Sequence, residues 1–216
     1  GDDGGVGRDS LIRTLRAEGI RDEPVLAAMA AVPRAEFVSL QFADRAWDNH
    51  PLPIGFGQTI SQPLVVALMI EFAGVAPGDH VLDVGTGSGY QAAVLAEIGC
   101  VVSGIEVVPE LAAAAAQTLA RLGYDVDVLT GDGHQGRPDL APFDAIIVAA
   151  AADEVPQRLV EQLRRPTDRR RGGRLVVPVA EDGGGSGQTL IVVERTADGV
   201  SRRVRDRVRF VPFVDG

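Results

Sequence analysis

A glycine-rich segment in the middle of the chain carries the clearest signal for ligand binding. In VLDVGTGSGYQ, residues 81 to 91, a short apolar run reaches Asp83 and is followed by glycines at alternate positions, Gly85, Gly87 and Gly89. Glycine permits positive φ and lets the backbone approach a ligand without a Cβ in the way. The N–H groups of a following helix then point at that ligand. The segment predicts a strand, a tight turn and a helix start at a nucleotide-like ligand; a glycine loop that only turns the chain is the alternative.

Two further acidic residues are expected beside this turn. Glu106 ends the next apolar run, and Asp132 stands between Gly131 and Gly133 after the run that follows. Because ligands of an open parallel sheet gather at the carboxyl ends of its strands, these acids and the turn should share one edge. A carboxylate offers two oxygens to the two hydroxyls of a ribose, and Asp132 could accept from an exocyclic amine such as that of adenine. Each acid alone could be a cap or turn residue; together they favour an adenosine-containing ligand.

Two adenosine cofactors compete for such a site. A dinucleotide would require the spacing G-x-G-x-x-G, but the sixth position counted from Gly85 is Tyr90, and the actual spacing is G-x-G-x-G. S-adenosylmethionine has no pyrophosphate to hold, and its ammonium and sulfonium groups are complemented by the nearby acids. The residues therefore favour S-adenosylmethionine, with a nicotinamide dehydrogenase as the weaker alternative.

Alternating strand and helix patterns would position these residues. Strands are predicted at 81–85, 101–106, 124–129, 143–149 and 174–179, and helices at 88–98, 109–122 and 154–164. Such alternation is typical of parallel βαβ units. Residues 189–194 and 200–214 predict an antiparallel pair, the second with alternating arginines on one solvated face. The predicted fold is α/β, a doubly wound, mostly parallel Rossmann-like sheet with helices on both faces and an antiparallel C-terminal edge.

The residues before the sheet predict helices and one irregular loop. Helices are expected at 10–18 and 22–31, and the prolines and glycines of 48–60 predict an ordered loop without regular structure. TISQP then begins a helix that reaches about Phe72, with Ser61 or Gln62 as its N-cap. Residues 1–9 are expected to be a disordered leader. Residues 10–216 are expected to be one domain, with an N-terminal helical segment at 10–75, a cofactor-binding core at 76–180 and C-terminal strands at 181–216.

Composition excludes several classes of function. The chain has 216 residues, a net charge of -9, one cysteine, three histidines and no lysine. The negative charge argues against general nucleic-acid binding, and the apolar runs are too short to cross a bilayer. The histidines lack ligand-like spacing, so no metal site is expected, and Schiff-base chemistry is excluded without lysine. A cytoplasmic monomer is expected, and the arginine-rich stretch 164–174 is interpreted as a solvated loop, with contact to an acidic partner as the alternative.

The chain resembles the protein-L-isoaspartate O-methyltransferase family over about residues 10 to 214. The resemblance rests on PLPIGFGQTISQP, VLDVGTGSGYQAAVLAEIG, GDGHQG, FDAIIVAAA and GGRLVVPV in that order, with VPRAEFV and VRFVPF at the flanks. It implies methyl transfer from S-adenosylmethionine to the free carboxylate of L-isoaspartyl residues in damaged proteins and peptides. The resulting ester collapses to a succinimide, whose hydrolysis regenerates some normal aspartate.

The same resemblance implies a role for individual residues. It makes Ser61 the active-site serine, with Thr59 and Ile60 beside it in a substrate loop. The cofactor contacts that it implies are Asp83, Gly85, Gly87, Ser88, Gly89, Glu106, Asp132 and Gly133. The chain departs from the family pattern in the inserted RPTDRRR and in the glycine-rich residues 182–187. Two alternatives stay open: an enzyme that methylates a normal aspartate in a dedicated peptide, and an inactive S-adenosylmethionine-binding module.

Overall fold

The computed structural model describes residues 3 to 181 and 187 to 208. Its α-helices are α1 (Asp3–Ala17), α2 (Glu23–Ala31), α3 (Pro63–Ala73), α4 (Tyr90–Ile98), α5 (Pro109–Arg121) and α6 (Gln157–Glu161). Its strands are β1 (Leu52–Gly55), β2 (Gln58–Ile60), β3 (His80–Val84), β4 (Val101–Glu106), β5 (Val126–Thr130), β6 (Ala145–Val148), β7 (Arg174–Ala180), β8 (Gln188–Arg195) and β9 (Val200–Val208). Short 3-10 helices cover Arg34–Phe37, Leu40–Arg45 and Gly133–Gln135.

Seven strands form one sheet in the order β5-β4-β3-β6-β7-β8-β9. The strands from β3 to β7 run parallel, and β8 and β9 add an antiparallel edge. The strand order changes direction at β3, which pairs with β4 on one side and β6 on the other. A ligand is expected at the carboxyl end of the strand at such a switch point. This topology confirms the predicted α/β fold, including its antiparallel edge.

Hydrophobic layers cover both faces of the sheet because successive strand residues point to opposite sides. On one face, the buried Val81 of β3 packs in a cluster with side chains of the helices α1 to α4, such as Leu15 and Met69. On the other face, Leu82 packs with Leu159 of α6 and Leu175 of β7. The sheet is therefore held from both sides, and only its ends are available for a ligand.

A β-hairpin occupies the segment that was predicted to lack regular structure. Strands β1 and β2 pair antiparallel, and the turn between them has positive φ at Gly55, Phe56 and Gly57, with values of 89°, 55° and 71°. Glycine adopts such angles readily, whereas a bulky residue rarely does. The prediction for residues 48–60 was wrong because a two-stranded ribbon has edges on both sides, where a residue such as Pro53 needs no ladder hydrogen bond.

The first helix also begins earlier than predicted. Helix α1 starts at Asp3, so residues 3–9 are helical and the predicted leader is wrong there; Gly1 and Asp2 lie outside the described residues. Glycine disfavours a helix interior, but Gly7 packs against Trp47, whose Cβ would be 3.2 Å from an added Gly7 Cβ. This long-range contact overrides the local preference. Helix α6 is shorter than the predicted 154–164.

The C-terminal strands depart from strict alternation. A register shift between Leu190 and Ile191 breaks the period of two in β9. The guanidinium of Arg205 lies over the ring of Phe72, 5.6 Å from its centre, so the arginines do not form one purely solvated face. The predicted glycine-rich loop falls outside the described residues except for Gly187, as does the end of the last predicted strand beyond residue 208.

The arginine-rich stretch braces helix α3. The Arg171 guanidinium donates to the carbonyls of Ala73 and Gly74 at 3.1 and 2.6 Å, where the helix ends. Arg170 donates to Asp79 at 2.9 Å. Arg171 satisfies carbonyls and complements the negative end of the helix dipole, whereas Arg170 forms an ion pair with a carboxylate. Arg170 and Arg171 are exposed, as the solvated-loop interpretation predicts, but their hydrogen-bond partners lie about a hundred residues away in the sequence and leave no local signal.

We expect Arg171→Ala to lower the melting temperature by a few degrees, because the last carbonyls of α3 lose a charged donor worth about 1 kcal/mol. Circular dichroism during heating measures this shift. Arg169→Ala, at an exposed neighbour, is the matched control and should leave the melting temperature unchanged. A loss of activity at unchanged stability would instead show that the stretch recognises substrate.

Within the described ranges, no helix is long and apolar enough to span a membrane. In the same residues, no group of three or more histidine, cysteine, aspartate or glutamate side chains is placed to hold a metal ion.

Candidate active site

A cleft opens where the carboxyl ends of β3 and β4 meet the end of the β1–β2 hairpin. It encloses about 760 Å³, including its open mouth, which is enough for a nucleoside-sized ligand. Eight of the predicted site residues line it: Thr59, Ile60, Ser61, Gly85, Gly87, Ser88, Glu106 and Gly133. Asp83, Gly89 and Asp132 are not among the lining residues. The structure thus brings the predicted substrate loop and most of the predicted cofactor contacts to one cavity.

The glycine turn forms the floor of this cleft with a left-handed backbone. Gly85 and Gly87 have φ of 81° and 54°, which only glycine adopts without strain. The Gly85 amide donates to the Ile105 carbonyl at 2.9 Å, which holds the turn beside β4. Gly89 serves packing instead, because a Cβ at that position would lie 3.2 Å from Leu119 of α5. The turn therefore presents backbone to the cleft at its first two glycines.

Glu106 is a buried carboxylate at the end of β4, with 5% of its surface exposed. One of its oxygens accepts from the Gly87 amide at 2.9 Å and the other from the Val108 amide at 2.8 Å. Each carboxylate oxygen has a further lone pair, so both can also accept from ligand hydroxyls. Glu106 can consequently hold the glycine turn and a ribose at the same time.

Asp83 lies under the glycine turn and is fully buried. Gln91, which does line the cleft, donates to its Oδ1 at 2.8 Å, whereas its Oδ2 has no partner among the described residues. Burial raises the pKa of Asp83 to about 7, and the nearby Glu106 charge adds to the shift. Direct contact between Asp83 and a ligand remains a prediction, because Gln91, and not Asp83, lines the cleft. An isolated polar residue in the apolar helix YQAAVLAEI was the sequence signal for Gln91.

We expect Asp83→Asn to flatten the pH dependence of stability between pH 5 and pH 8. Because the carboxyl pKa is raised, the folded state keeps a proton that the unfolded state releases. The contribution of Asp83 to the free energy of unfolding is therefore largest below about pH 4 and is lost as the pH rises through about 7. The slope of one such group is at most about 1.4 kcal/mol per pH unit.

Urea unfolding of both proteins at pH 5 and pH 8 measures the difference. Asp139→Asn is the control, because hydrogen bonding from Arg137 holds the pKa of that exposed carboxyl below its ordinary value, outside this pH range. If the free energy of unfolding changed equally with pH in Asp83→Asn and in the wild type, the Asp83 carboxyl would be ionised throughout this range.

Asp132 caps the short turn that brings Gly133 to the cleft. Its Oδ1 accepts from the His134 amide at 2.9 Å and lies 3.0 Å from the His134 ring nitrogen Nδ1. Partial burial raises its pKa, but these hydrogen bonds outweigh that and hold the pKa below its ordinary value. Gln162, at the end of α6, holds the loop that follows Asp132. Its side chain accepts from the Arg137 amide and donates to the Gln135 carbonyl, each at 2.9 Å. Sequence analysis gave no role to Gln162.

Ser61 lies between the hairpin and α3 and lines the cleft. The N-cap of α3 is Gln62, whose side chain makes no capping hydrogen bond. The Leu64 amide instead donates to Oδ1 of the Asn49 side chain at 3.0 Å. Of the two predicted N-caps, the structure selects Gln62. The Ser61 hydroxyl is therefore not committed to capping, and Ser61 lines the same cleft as Glu106 and Gly87.

Comparison with known proteins identifies the family. Residues 7–216 match the model of the family described as protein-L-isoaspartate(D-aspartate) O-methyltransferase. The chain belongs to this family. It is 50% identical over 203 residues to the protein-L-isoaspartate O-methyltransferase of Gloeobacter violaceus, which covers 92% of this chain and 94% of that one. It is 48% identical over 213 residues to that of Salinibacter ruber, which covers 96% and 91%.

Two solved structures of this methyltransferase family superpose on almost all of this chain. One protein-L-isoaspartate O-methyltransferase superposes with a TM-score of 0.83 at 28% identity and covers 95% of this chain and 65% of that one. A Plasmodium falciparum member, solved with S-adenosyl-L-homocysteine, superposes with a TM-score of 0.80 at 27% identity and covers 96% and 98%. The resemblance stated from the sequence is confirmed.

The segment VPRAEFV places one side chain behind the cleft, against a residue that lines it. Arg34 is completely buried, and its guanidinium lies over the ring of Tyr90, 5.7 Å from the centre. Tyr90 lines the cleft and begins α4 directly after the glycine turn. Phe37 packs against the same ring edge-on, with the ring centres 5.7 Å apart. Sequence analysis used this motif only for the resemblance, because no residue type within it signalled contact with the site.

Proposed function

We propose that this chain transfers the methyl group of S-adenosylmethionine to the free carboxylate of L-isoaspartyl residues in damaged proteins and peptides. The observation that carries the proposal is the shared cleft, with Gly85, Gly87 and Glu106 on one side and Thr59 and Ser61 on the other. Membership of the protein-L-isoaspartate(D-aspartate) O-methyltransferase family supports the same reaction. The product is a methyl ester that collapses to a succinimide.

The residues on the cofactor side fit S-adenosylmethionine. Both oxygens of Glu106 are fixed by backbone amides, which orients their remaining lone pairs for the two ribose hydroxyls. Gly85 and Gly87 leave room for close approach, and Gln91 presents a carboxamide at the cleft surface. The Glu106 carboxylate at the cleft provides a negative charge that suits a cationic ligand. When bound, S-adenosylmethionine supplies an electrophilic methyl group.

On the substrate side, the chain has to orient a nucleophile that already exists. A side-chain-like carboxyl group has an ordinary pKa of about 4, so it is ionised at neutral pH and needs no general base. Accordingly, the described lining of the cleft contains no histidine. In the reaction a carboxylate oxygen forms a bond to the methyl carbon, the bond between carbon and sulfur breaks, and its electron pair stays on sulfur. The opposite charges of carboxylate and sulfonium are neutralised, and no proton moves.

Ser61 is proposed to hold the substrate carboxylate, with Thr59 and Ile60 as neighbouring contacts. Its hydroxyl can donate one charge-assisted hydrogen bond without giving up a helix cap. Orientation of this kind is worth up to about 7 to 11 kcal/mol when oxygen, carbon and sulfur are brought into line. The catalytic contribution of this chain is thus placement rather than acid–base chemistry.

Chemical identification of the product tests the proposed reaction. The protein is incubated with methyl-labelled S-adenosylmethionine and an isoaspartyl peptide, and mild base is then added. We expect the label to leave as volatile methanol while the peptide becomes a succinimide. Label that stays on the peptide under mild base would place the methyl group on nitrogen or sulfur and contradict ester formation.

Three organisational expectations are also proposed. We propose that residues 10–216 form one domain, with an N-terminal helical and substrate-loop segment at 10–75, a cofactor-binding core at 76–180 and C-terminal strands at 181–216. The continuous hydrophobic cluster from Leu11 to Val192 supports this division into segments of one unit.

We further propose a cytoplasmic monomer, in agreement with a buried free Cys100. Light scattering during size-exclusion chromatography would test the monomer.

A further inference from the structure

Arg34 is the largest of the side chains that the structure buries completely. A guanidinium cannot lose its charge in a protein, so its burial requires hydrogen-bond acceptors. Nη1 and Nη2 of Arg34 have such acceptors, whereas its Nε has no partner among the described residues. The acceptors found for it among the described residues are all main-chain carbonyls: Ala46 at 2.6 Å, Asp48 at 3.3 Å, His50 at 3.0 Å and Ser61 at 3.2 Å. Arg34 therefore organises backbone and not an opposite charge.

These four carbonyls lie on both sides of the β1–β2 hairpin. Three belong to the connection before β1, and the fourth belongs to Ser61, which follows β2 directly. The planar, rigid guanidinium of Arg34 thus joins the segment that enters the hairpin to the segment that leaves it. The entering segment also contains Asn49, whose side chain accepts from Leu64 in the first turn of α3. The hydrogen bonds of Arg34 and Asn49 together define where Ser61 sits.

Arg34 also contacts the cofactor half of the cleft. Its guanidinium packs over the ring of Tyr90, a lining residue that begins α4 directly after Gly89. Cation–π contacts are strongest when both groups are removed from water, as both are here. The same guanidinium therefore touches the backbone of Ser61 on one side and the helix that follows the glycine turn on the other.

We infer that Arg34 is a positioning residue that fixes Ser61 relative to the glycine turn, and so aligns the substrate carboxylate with the methyl group. This inference rests on the proposed methyl transfer to a carboxylate. Arg34 does not contact either reactant; it acts through the Ser61 carbonyl and the Tyr90 ring. A small displacement of Ser61 would leave the cofactor contacts intact and still impair alignment, because near-attack geometry tolerates little error.

Arg34→Lys is the test variant, since it keeps the charge but replaces a planar fork with a single ammonium that has three donors. We expect kcat on an isoaspartyl peptide to fall at least tenfold when both reactants are saturating. The dissociation constant of S-adenosylmethionine, measured by calorimetry, should stay within about twofold. Arg174→Lys is the matched control, because Arg174 donates to Glu194 and Phe72 at the start of β7, away from the cleft. It should lose stability and keep its kcat.

Combination with Ser61→Ala separates positioning from general support of the fold. If Arg34 acts through Ser61, Arg34→Lys should reduce kcat by less than about twofold further in a Ser61→Ala background, since contacting residues show non-additive effects. Should Arg34→Lys not fold, Arg34→Met fills the same volume without a buried charge and enters the same comparisons.

A normal kcat in the folded Arg34 variant, losses that add fully to those of Ser61→Ala, or an equal fall in cofactor affinity would each overturn the inference. Failure of the proposed function looks different: the wild-type protein itself would then show no turnover of the isoaspartyl peptide.

Discussion

Ser61→Ala is expected to reduce turnover of an isoaspartyl peptide by roughly ten- to a hundredfold while S-adenosylmethionine affinity barely changes. The substitution removes one hydrogen bond to a charged group, typically worth about 1.5 to 3 kcal/mol, and each 1.36 kcal/mol corresponds to about a factor of ten. The effect falls on turnover because Ser61 lines the cleft directly after the hairpin, on a different element from Glu106 and Gly87. Steady-state kinetics with calorimetry of cofactor binding measures both quantities.

Stability gives the internal control for this prediction. Loss of a helix N-cap usually lowers stability by about 1 kcal/mol, but the N-cap of α3 is Gln62, and Asn49 accepts the hydrogen bond from Leu64. Ser61→Ala should therefore have a melting temperature close to that of the wild type. The control Ser201→Ala, on β9, should keep both the melting temperature and the full activity. A variant with normal kcat and lowered melting temperature would show that Ser61 supports the helix only.

Glu106→Gln is expected to weaken S-adenosylmethionine binding by roughly a hundredfold. The carboxamide keeps the size of the side chain but places an NH₂ group where a carboxylate oxygen now accepts from the Gly87 or Val108 amide. It also removes an acceptor for a ribose hydroxyl and a negative charge, and hydrogen bonds to charged groups are worth about 1.5 to 3 kcal/mol each.

Two measurements distinguish ligand binding by Glu106 from bracing of the turn. Calorimetry gives the affinity, and urea unfolding without ligand gives the intrinsic stability. Glu110→Gln, on the exposed first turn of α5, should leave the affinity unchanged and lower the stability by no more than about 1 kcal/mol. If Glu106→Gln lowered stability and left the affinity at its wild-type value, Glu106 would serve only to hold Gly87 and Val108.

The sheet could be predicted well from the sequence because its signals are local. Strand β4 occupies the predicted residues 101–106, and β7 differs from the prediction by one residue. The alternation of apolar runs with helical patterns is enough to specify parallel βαβ units. Most of the site followed from this, since residues at the carboxyl ends of neighbouring parallel strands must lie together. The glycine turn and Glu106 reached the cleft for that reason.

Features that depend on long-range contacts escaped prediction. The hairpin is built from strands of four and three residues, too short for a period of two to be recognised, and the first of them contains proline and glycine. Arg171 contacts the end of α3 almost a hundred residues earlier in the chain. Arg34 binds main-chain carbonyls, which are present at every position and give no residue-type signal. Asp83 had the expected position, but its complete burial depends on the packing around β3.

The central claim is methyl transfer to an isoaspartyl carboxylate, and one paired measurement tests it directly. The protein is incubated with methyl-labelled S-adenosylmethionine and two versions of one peptide, which differ only in an isoaspartyl or a normal aspartyl linkage at a single position. We expect labelled methyl ester on the isoaspartyl peptide and none above background on the aspartyl peptide. Equal or greater labelling of the aspartyl peptide, or no labelling of either peptide by a protein that still binds S-adenosylmethionine, would contradict the claim.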